Sequence, residues 1–115
     1  MELHYLEIVS TDVEKACRNY EQLHGVTLSK PDEVLGGART CEVAGGYMLG
    51  IRAPLHTDEQ PVVRPYWRVT DIEQAVADLQ SHGATLALPP TELPGKGHIA
   101  IYLLGGNEHG VWQPA

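Results

Sequence analysis

Basic residues are scarce: 8 Lys and Arg stand against 15 Asp and Glu, for a formal net charge of −7. Phosphate-backbone binding needs clustered Lys and Arg, so no nucleic-acid partner is expected. The acidic balance fits ordinary solubility, and it also tolerates a cationic ligand. Cysteine is equally sparse. Cys17 and Cys41 make no metal-like spacing, and reduced thiols in a cytoplasm are the expectation. No apolar run approaches the roughly 18 residues of a membrane span, and the N-terminus lacks a charged-then-apolar signal segment, so no membrane partner is expected. Neither a P-loop nor a dinucleotide fingerprint occurs, and Gly25 and Gly83 read as helix stops.

What the chain does have is a duplication. Thr11-Asp12-Val13-Glu14-Lys15-Ala16 returns as Thr70-Asp71-Ile72-Glu73-Gln74-Ala75, and His24-Gly25-Val26-Thr27-Leu28 as His82-Gly83-Ala84-Thr85-Leu86. Gly45-Gly46 and Gly50-Ile51 return as Gly105-Gly106 and Gly110-Val111. A period of about 60 residues is a whole supersecondary unit rather than a solenoid module. With 115 residues and 43% hydrophobic content, one domain with a real core is expected, spanning 1–115. Repeat one covers 1–53, a linker 54–61, and repeat two 62–115.

Leu3–Val9 alternates as a strand, with Leu6 and Ile8 on one face and Tyr5, Glu7 and Val9 on the other. Thr11 and Glu14 read as a capping box opening a helix. Val13, Ala16, Cys17 and Tyr20 form its buried stripe, and Gly25 ends it. Repeat two matches, with a strand at Arg64–Val69, a box at Thr70 and Glu73, and a stripe at Ile72, Ala75, Val76 and Leu79. Further strands are expected at Thr27–Leu28, Arg39–Val43 and Tyr47–Arg52, and at Thr85–Leu88, His98–Leu103 and Val111–Gln113. The glycine pairs suit hairpin turns. Each half thus reads β-α-β-β-β, an α+β chain. The proline-rich stretch 89–97 reads as a loop, either a plain connection or a cover over a pocket mouth.

Paired units of this kind, with the 11–21 run, Val69-Thr70-Asp71-Ile72-Glu73 and Gly105-Gly106-Asn107, resemble the vicinal oxygen chelate superfamily. That superfamily includes glyoxalase I, extradiol dioxygenases and bleomycin resistance proteins. The resemblance implies a cup-shaped, half-open barrel of two tandem βαβββ units, helices outside, and commonly a homodimer. Metal-dependent members place ligands on the first strand, on the strand opening the second half, and on the last strand. Those positions fall here on Tyr5, Arg64 and Gly110. Tyrosine is an uncommon ligand, arginine has no lone pair to give, and glycine has no side chain. A one-residue slip would bring in His4, yet it would bury Glu7 beneath the helices. No metal or other cofactor is therefore expected.

The favoured register puts Tyr5, Glu7 and Val9 on the cup side, with Arg64, Tyr66 and Arg68 equivalent to them. The family pattern also turns His98 and Ala100 inward. Gly50 and Gly110 are expected to leave space beside Met48, Arg52, Glu108 and Trp112. Glu7 and His98 are candidate general acid–base groups. Tyr5, Arg64, Tyr66, Arg68, Met48, Arg52 and Trp112 are candidate ligand contacts. The competing reading of Glu7 is a buried ion pair with Arg68, and that of His98 a structural histidine. Three functions follow. The first is metal-independent small-molecule binding or acid–base chemistry. The second is a divalent-metal-dependent lyase or dioxygenase with an atypical ligand set from His4, Glu7, His98 and Glu108. The third is an interaction scaffold without pocket chemistry.

Overall fold

A computed structural model describes residues Met1–Ala115. The elements run β1 (Glu2–Val9), α1 (Val13–His24), a 3-10 turn (Glu33–Leu35), β2 (Arg39–Val43), β3 (Tyr47–Arg52), β4 (Val62–Arg68), α2 (Ile72–Ser81), β5 (Thr85–Leu93), β6 (Gly97–Leu104) and β7 (Asn107–Gln113). No helix is long and apolar enough to cross a membrane. The chain divides into two compact units, Tyr5–Val63 and Arg64–Ala115, the latter including Met1–His4.

In the Tyr5–Val63 unit the strand order is β2-β3-β1, with β3 antiparallel to β2 and parallel to β1. The stripe of α1 buries Cys17, with Val13, Ala16 and Tyr20 beside it, against Ile8, Leu28, Leu49 and Ile51. Leu6 and Ile8 pack into this cluster, so alternation turns Tyr5, Glu7 and Val9, all buried, to the opposite face. The register read from the sequence is the observed one. Burying one aliphatic side chain such as Ile51 contributes about 1.5–3 kcal/mol, enough for a handful of them to fix the pairing.

In the other unit the order is β4-β7-β6-β5, with β4 and β7 parallel and the remaining pairs antiparallel. Ile72 and Val76 of α2 pack on Ala84, Ala100, Tyr102 and Val111, with Trp67 and Val69 alongside. Arg64, Tyr66 and Arg68 therefore take the helix-free face. Gly105 and Gly106, both at positive φ, make the two-residue turn joining the paired Leu104 and Asn107. That backbone matches the twist of a hairpin and is strained for other residues.

Four local expectations are corrected. The helix caps are Asp12 and Asp71, whose carboxylates accept from the Lys15 and Gln74 amides, rather than Thr11 and Thr70. A carboxylate at an N-cap also gains from the helix dipole. Thr27–Leu28 is not a strand. Ser29 binds Thr40 through its amide and its hydroxyl, and Pro31 has no N–H to continue a ladder. The stretch 89–93 is strand rather than loop. β5 pairs only with β6 and shifts register around Pro89 and Pro90, so the missing amides fall where bonding is already broken. The last strand begins at Asn107, four residues ahead of the expected Val111.

Candidate functional site

The helix-free face of the Tyr5–Val63 unit carries an ionic cluster. Arg52, at the end of β3, is 5% exposed, and Glu7, in the middle of β1, is 7% exposed. Arg52 Nε donates to Glu7 Oε2 at 2.8 Å, and Nη1 and Nη2 donate to the two oxygens of Glu59, each at 2.8 Å. The Glu59 hydrogen bonds are the largest cause that pushes the Arg52 pKa up, against burial, with Glu7 adding to them. A guanidinium buried with two carboxylates stays charged. The expected Glu7–Arg68 pair is therefore corrected to Glu7–Arg52. Arg68 instead donates to Glu2 at 3.2 Å and to His4 Nδ1 at 3.4 Å.

In the second unit Arg64, 5% exposed, donates from Nε to Glu108 Oε1 at 2.6 Å. Tyr66 and Trp112 meet edge to face with ring centroids 5.8 Å apart. Trp112 also meets His4 in a T-shaped arrangement with centroids 5.0 Å apart and donates its indole N–H to Lys96 O at 2.8 Å. Burial first, and the Arg68 charge second, hold His4 below the usual imidazole pKa. An unprotonated Nδ1 is also what the Arg68 hydrogen bond requires.

The glycines expected to open space are covered. A Cβ on Gly50 would strike the Tyr5 phenol, and one on Gly110 would strike the Tyr66 ring. Each glycine is the floor under a tyrosine of the parallel neighbour strand: Tyr66 is the direct pairing partner of Gly110, whereas Tyr5, paired with Met48, reaches along the strand to Gly50. Met48 lies opposite Tyr5 in the β1–β3 register, partly buried.

His98 does not join these groups. Its neighbours in alternation, Ala100 and Tyr102, are buried against α2, and its partner across β6–β7 is Gln113, whose side-chain oxygen accepts from the Ile72 amide. Directly opposed residues share a face, so His98 and Ala100 lie on the α2 side rather than inward. The sequence reading missed Glu59, which it placed in a linker. Nothing in its local pattern signals a buried partner 7 residues from Arg52.

The positions that the family resemblance assigns to metal ligands do not suit an ion. Tyr5 lies against Gly50, Arg64 is spent on Glu108, and Gly110 lies beneath Tyr66. No group of three or more His, Cys, Asp or Glu side chains is arranged to hold a metal. Burial raises the Cys17 and Cys41 thiol pKa values, so neither is an activated nucleophile.

This arrangement of strands and helices is the vicinal oxygen chelate fold. Among solved structures it is similar to methylmalonyl-CoA epimerase from Mycobacterium tuberculosis, at TM-score 0.77 and 20% identity over 99% of this chain and 88% of that one. It is also similar to a Streptomyces coelicolor methylmalonyl-CoA epimerase variant in complex with 2-nitronate-propionyl-CoA, at TM-score 0.72 and 14% identity over 100% of this chain and 98% of that one. An NAD-dependent benzaldehyde dehydrogenase structure from Legionella pneumophila matches at TM-score 0.71 and 10% identity over 96% and 98% of the two chains. At these identities the likeness concerns the fold. No family model matches the chain, and no curated protein matches it in sequence.

Proposed function

We propose that this protein binds a small organic molecule without a metal ion, and that each unit's helix-free sheet face, with Glu7 and Arg52 in one and Arg64, Tyr66 and Trp112 in the other, is a candidate surface for it. The observation that carries the reading is the occupation of the three family ligand positions. Tyr5, Arg64 and Gly110 are each engaged with another residue of the chain, and two of them have no electron pair to offer a metal. What those faces offer instead is buried guanidinium groups, carboxylates and aromatic edges, the ordinary means of orienting a small ligand. That a fold neighbour is in complex with 2-nitronate-propionyl-CoA agrees with a ligand-binding use of this fold.

Binding is favoured over acid–base turnover. Glu7 is tied to Arg52, and His98 is on the α2 side of its sheet, so the two do not form an acid–base pair on one face of one unit. Arg68, exposed and paired with Glu2, contributes at the margin. A homodimer belongs to the same reading through the family resemblance, and a cytoplasmic setting through the free thiols of Cys17 and Cys41; sedimentation velocity tests the first.

The experiment is a thermal-shift screen of small molecules on tag-free, chelator-treated protein, repeated on Glu7→Gln and Arg64→Lys. A ligand that raises the melting temperature of metal-free wild type, and less so of either variant, supports the proposal. A screen without any response favours an interaction scaffold. A response that needs added divalent metal favours the metal-dependent reading.

A further inference from the structure

Between the repeats, the side chains of residues 53–60 are exposed except Pro54 and Glu59. Glu59 alone turns a charged group inward, with its side chain 15% exposed. Its carboxylate does two things. It takes both terminal nitrogens of Arg52 end-on at 2.8 Å, and it accepts the Leu55 amide at 2.7 Å. The Glu59 amide in turn donates to His56 O at 3.1 Å, closing the turn. This carboxylate in the guanidinium fork anchors the connector, and Arg52 Nη1 also donates to Ala53 O at 3.2 Å. Gly36 backs onto the Arg52 stem beside Leu55, so the fork sits in a built recess rather than on open surface.

The charge count is unusual. Glu7 by itself neutralises Arg52, and Glu59 adds a second carboxylate to a nearly buried site. Loss of Glu59 leaves a neutral Glu7–Arg52 pair rather than an unpaired buried charge. Exchange of Glu59 for another carboxylate preserves both the charge and the end-on geometry, which suits planar carboxylates best. We propose that the Arg52 fork is a carboxylate-binding subsite and that Glu59 is its built-in occupant, displaced when a ligand carboxylate enters. The inference rests on the small-molecule reading above and names its ligand class. Because Glu59 is tethered at millimolar effective concentration, the ligand must gain contacts elsewhere on the face to win the exchange. Displacement frees residues 53–60, so the connector reports on occupancy.

The test uses propionate, with propionamide as the uncharged control. In Glu59→Ala the fork loses its occupant, and the Arg52–Ala53 bond becomes open to trypsin. Millimolar propionate is expected to slow that cleavage about tenfold by closing the local opening, while propionamide has no effect. Absence of slowing, or equal slowing by the amide, overturns the subsite. If Glu59→Ala does not fold, Glu59→Gln serves, since its single amide oxygen still accepts from one arm of the fork and is easily displaced. Propionate should then speed exchange of the Leu55 amide and leave the β3 amides unchanged; an unchanged Leu55 rate overturns the proposal. A wider screen that finds ligands while the fork ignores propionate overturns this inference alone. A fork that answers propionate in a protein that binds nothing else supports the subsite and removes the broader reading.

Discussion

Glu7 and Arg52 form a buried ion pair at 2.8 Å, at the two positions where the second repeat carries the edge-to-face pair Tyr66 and Trp112. The neighbouring positions show the reverse exchange. Tyr5 stands opposite Met48 in the first repeat, and the ion pair Arg64–Glu108 stands there in the second. Duplication kept the geometry of both faces and traded their chemistry, so each unit holds one ionic and one apolar pair in opposite order. The ionic pairs are costly to break and weak sources of net stability, whereas the aromatic pair adds to burial directly.

Arg52→Met leaves Glu7 and Glu59 in place without their shared cation. Urea denaturation should register a loss of about 3–5 kcal/mol, the range for removing one partner of a buried pair. Arg52→Lys should not restore it, since an ammonium cannot serve Glu7 and the Glu59 fork together. A loss of only about 0–1 kcal/mol, as for exposed pairs, would mean the cluster is solvated.

Gly50→Ala and Gly110→Ala each drive a methyl group into a tyrosine. The expected cost is about 1–3 kcal/mol, as for overpacked cores. Shortening the ring partner, in Tyr5→Leu with Gly50→Ala and Tyr66→Leu with Gly110→Ala, should make each pair of substitutions less costly than the sum of the two singles. Strict additivity in a double-mutant cycle would show that the rings do not lie on these glycines.

Asp12→Ala and Asp71→Ala should each cost about 1 kcal/mol, and Thr11→Ala and Thr70→Ala clearly less, because the carboxylates hold the N-cap bonds. Thermal melts of the four variants decide it. A larger loss at the threonines would restore the capping box read from the sequence.

The parts of the fold legible in the sequence are those set by short-range periodicity. Strand alternation gave the face of Glu7, helical spacing the stripe at Cys17, and the glycine pair at 105–106 its turn. Partners chosen by long-range pairing were not legible. Glu7 took Arg52 rather than Arg68 because parallel pairing sets β3 beside β1 and Arg52 reaches back along the strand. The family pattern turns His98 inward, yet the face of β6 is decided by Ala100 and Tyr102 packing on α2. The missing side chains of Gly50 and Gly110 suggest open space, yet the neighbouring tyrosines fill it. Glu59 lay in a stretch that reads as solvent-exposed linker at every position.

His4 offers a test by pH. Burial and the Arg68 charge lower its pKa from the ordinary 6.5, so the folded protein resists protonation that the unfolded chain accepts. Its contribution to stability is complete above 6.5 and is lost as pH falls through the unfolded value toward the folded one. An NMR titration should place the His4 midpoint below that of a histidine in a short peptide. A midpoint at or above the peptide value would mean that the ring is solvated and free of Arg68.

On the proposed function, these faces bind their ligand without a metal ion. Equilibrium dialysis of chelator-treated protein against zinc, manganese, nickel and magnesium, paired with the ligand thermal-shift response before and after loading, tests it most directly. No stoichiometric uptake and an unchanged ligand response are expected. One metal bound per chain, with the ligand response appearing only on loading, would contradict it.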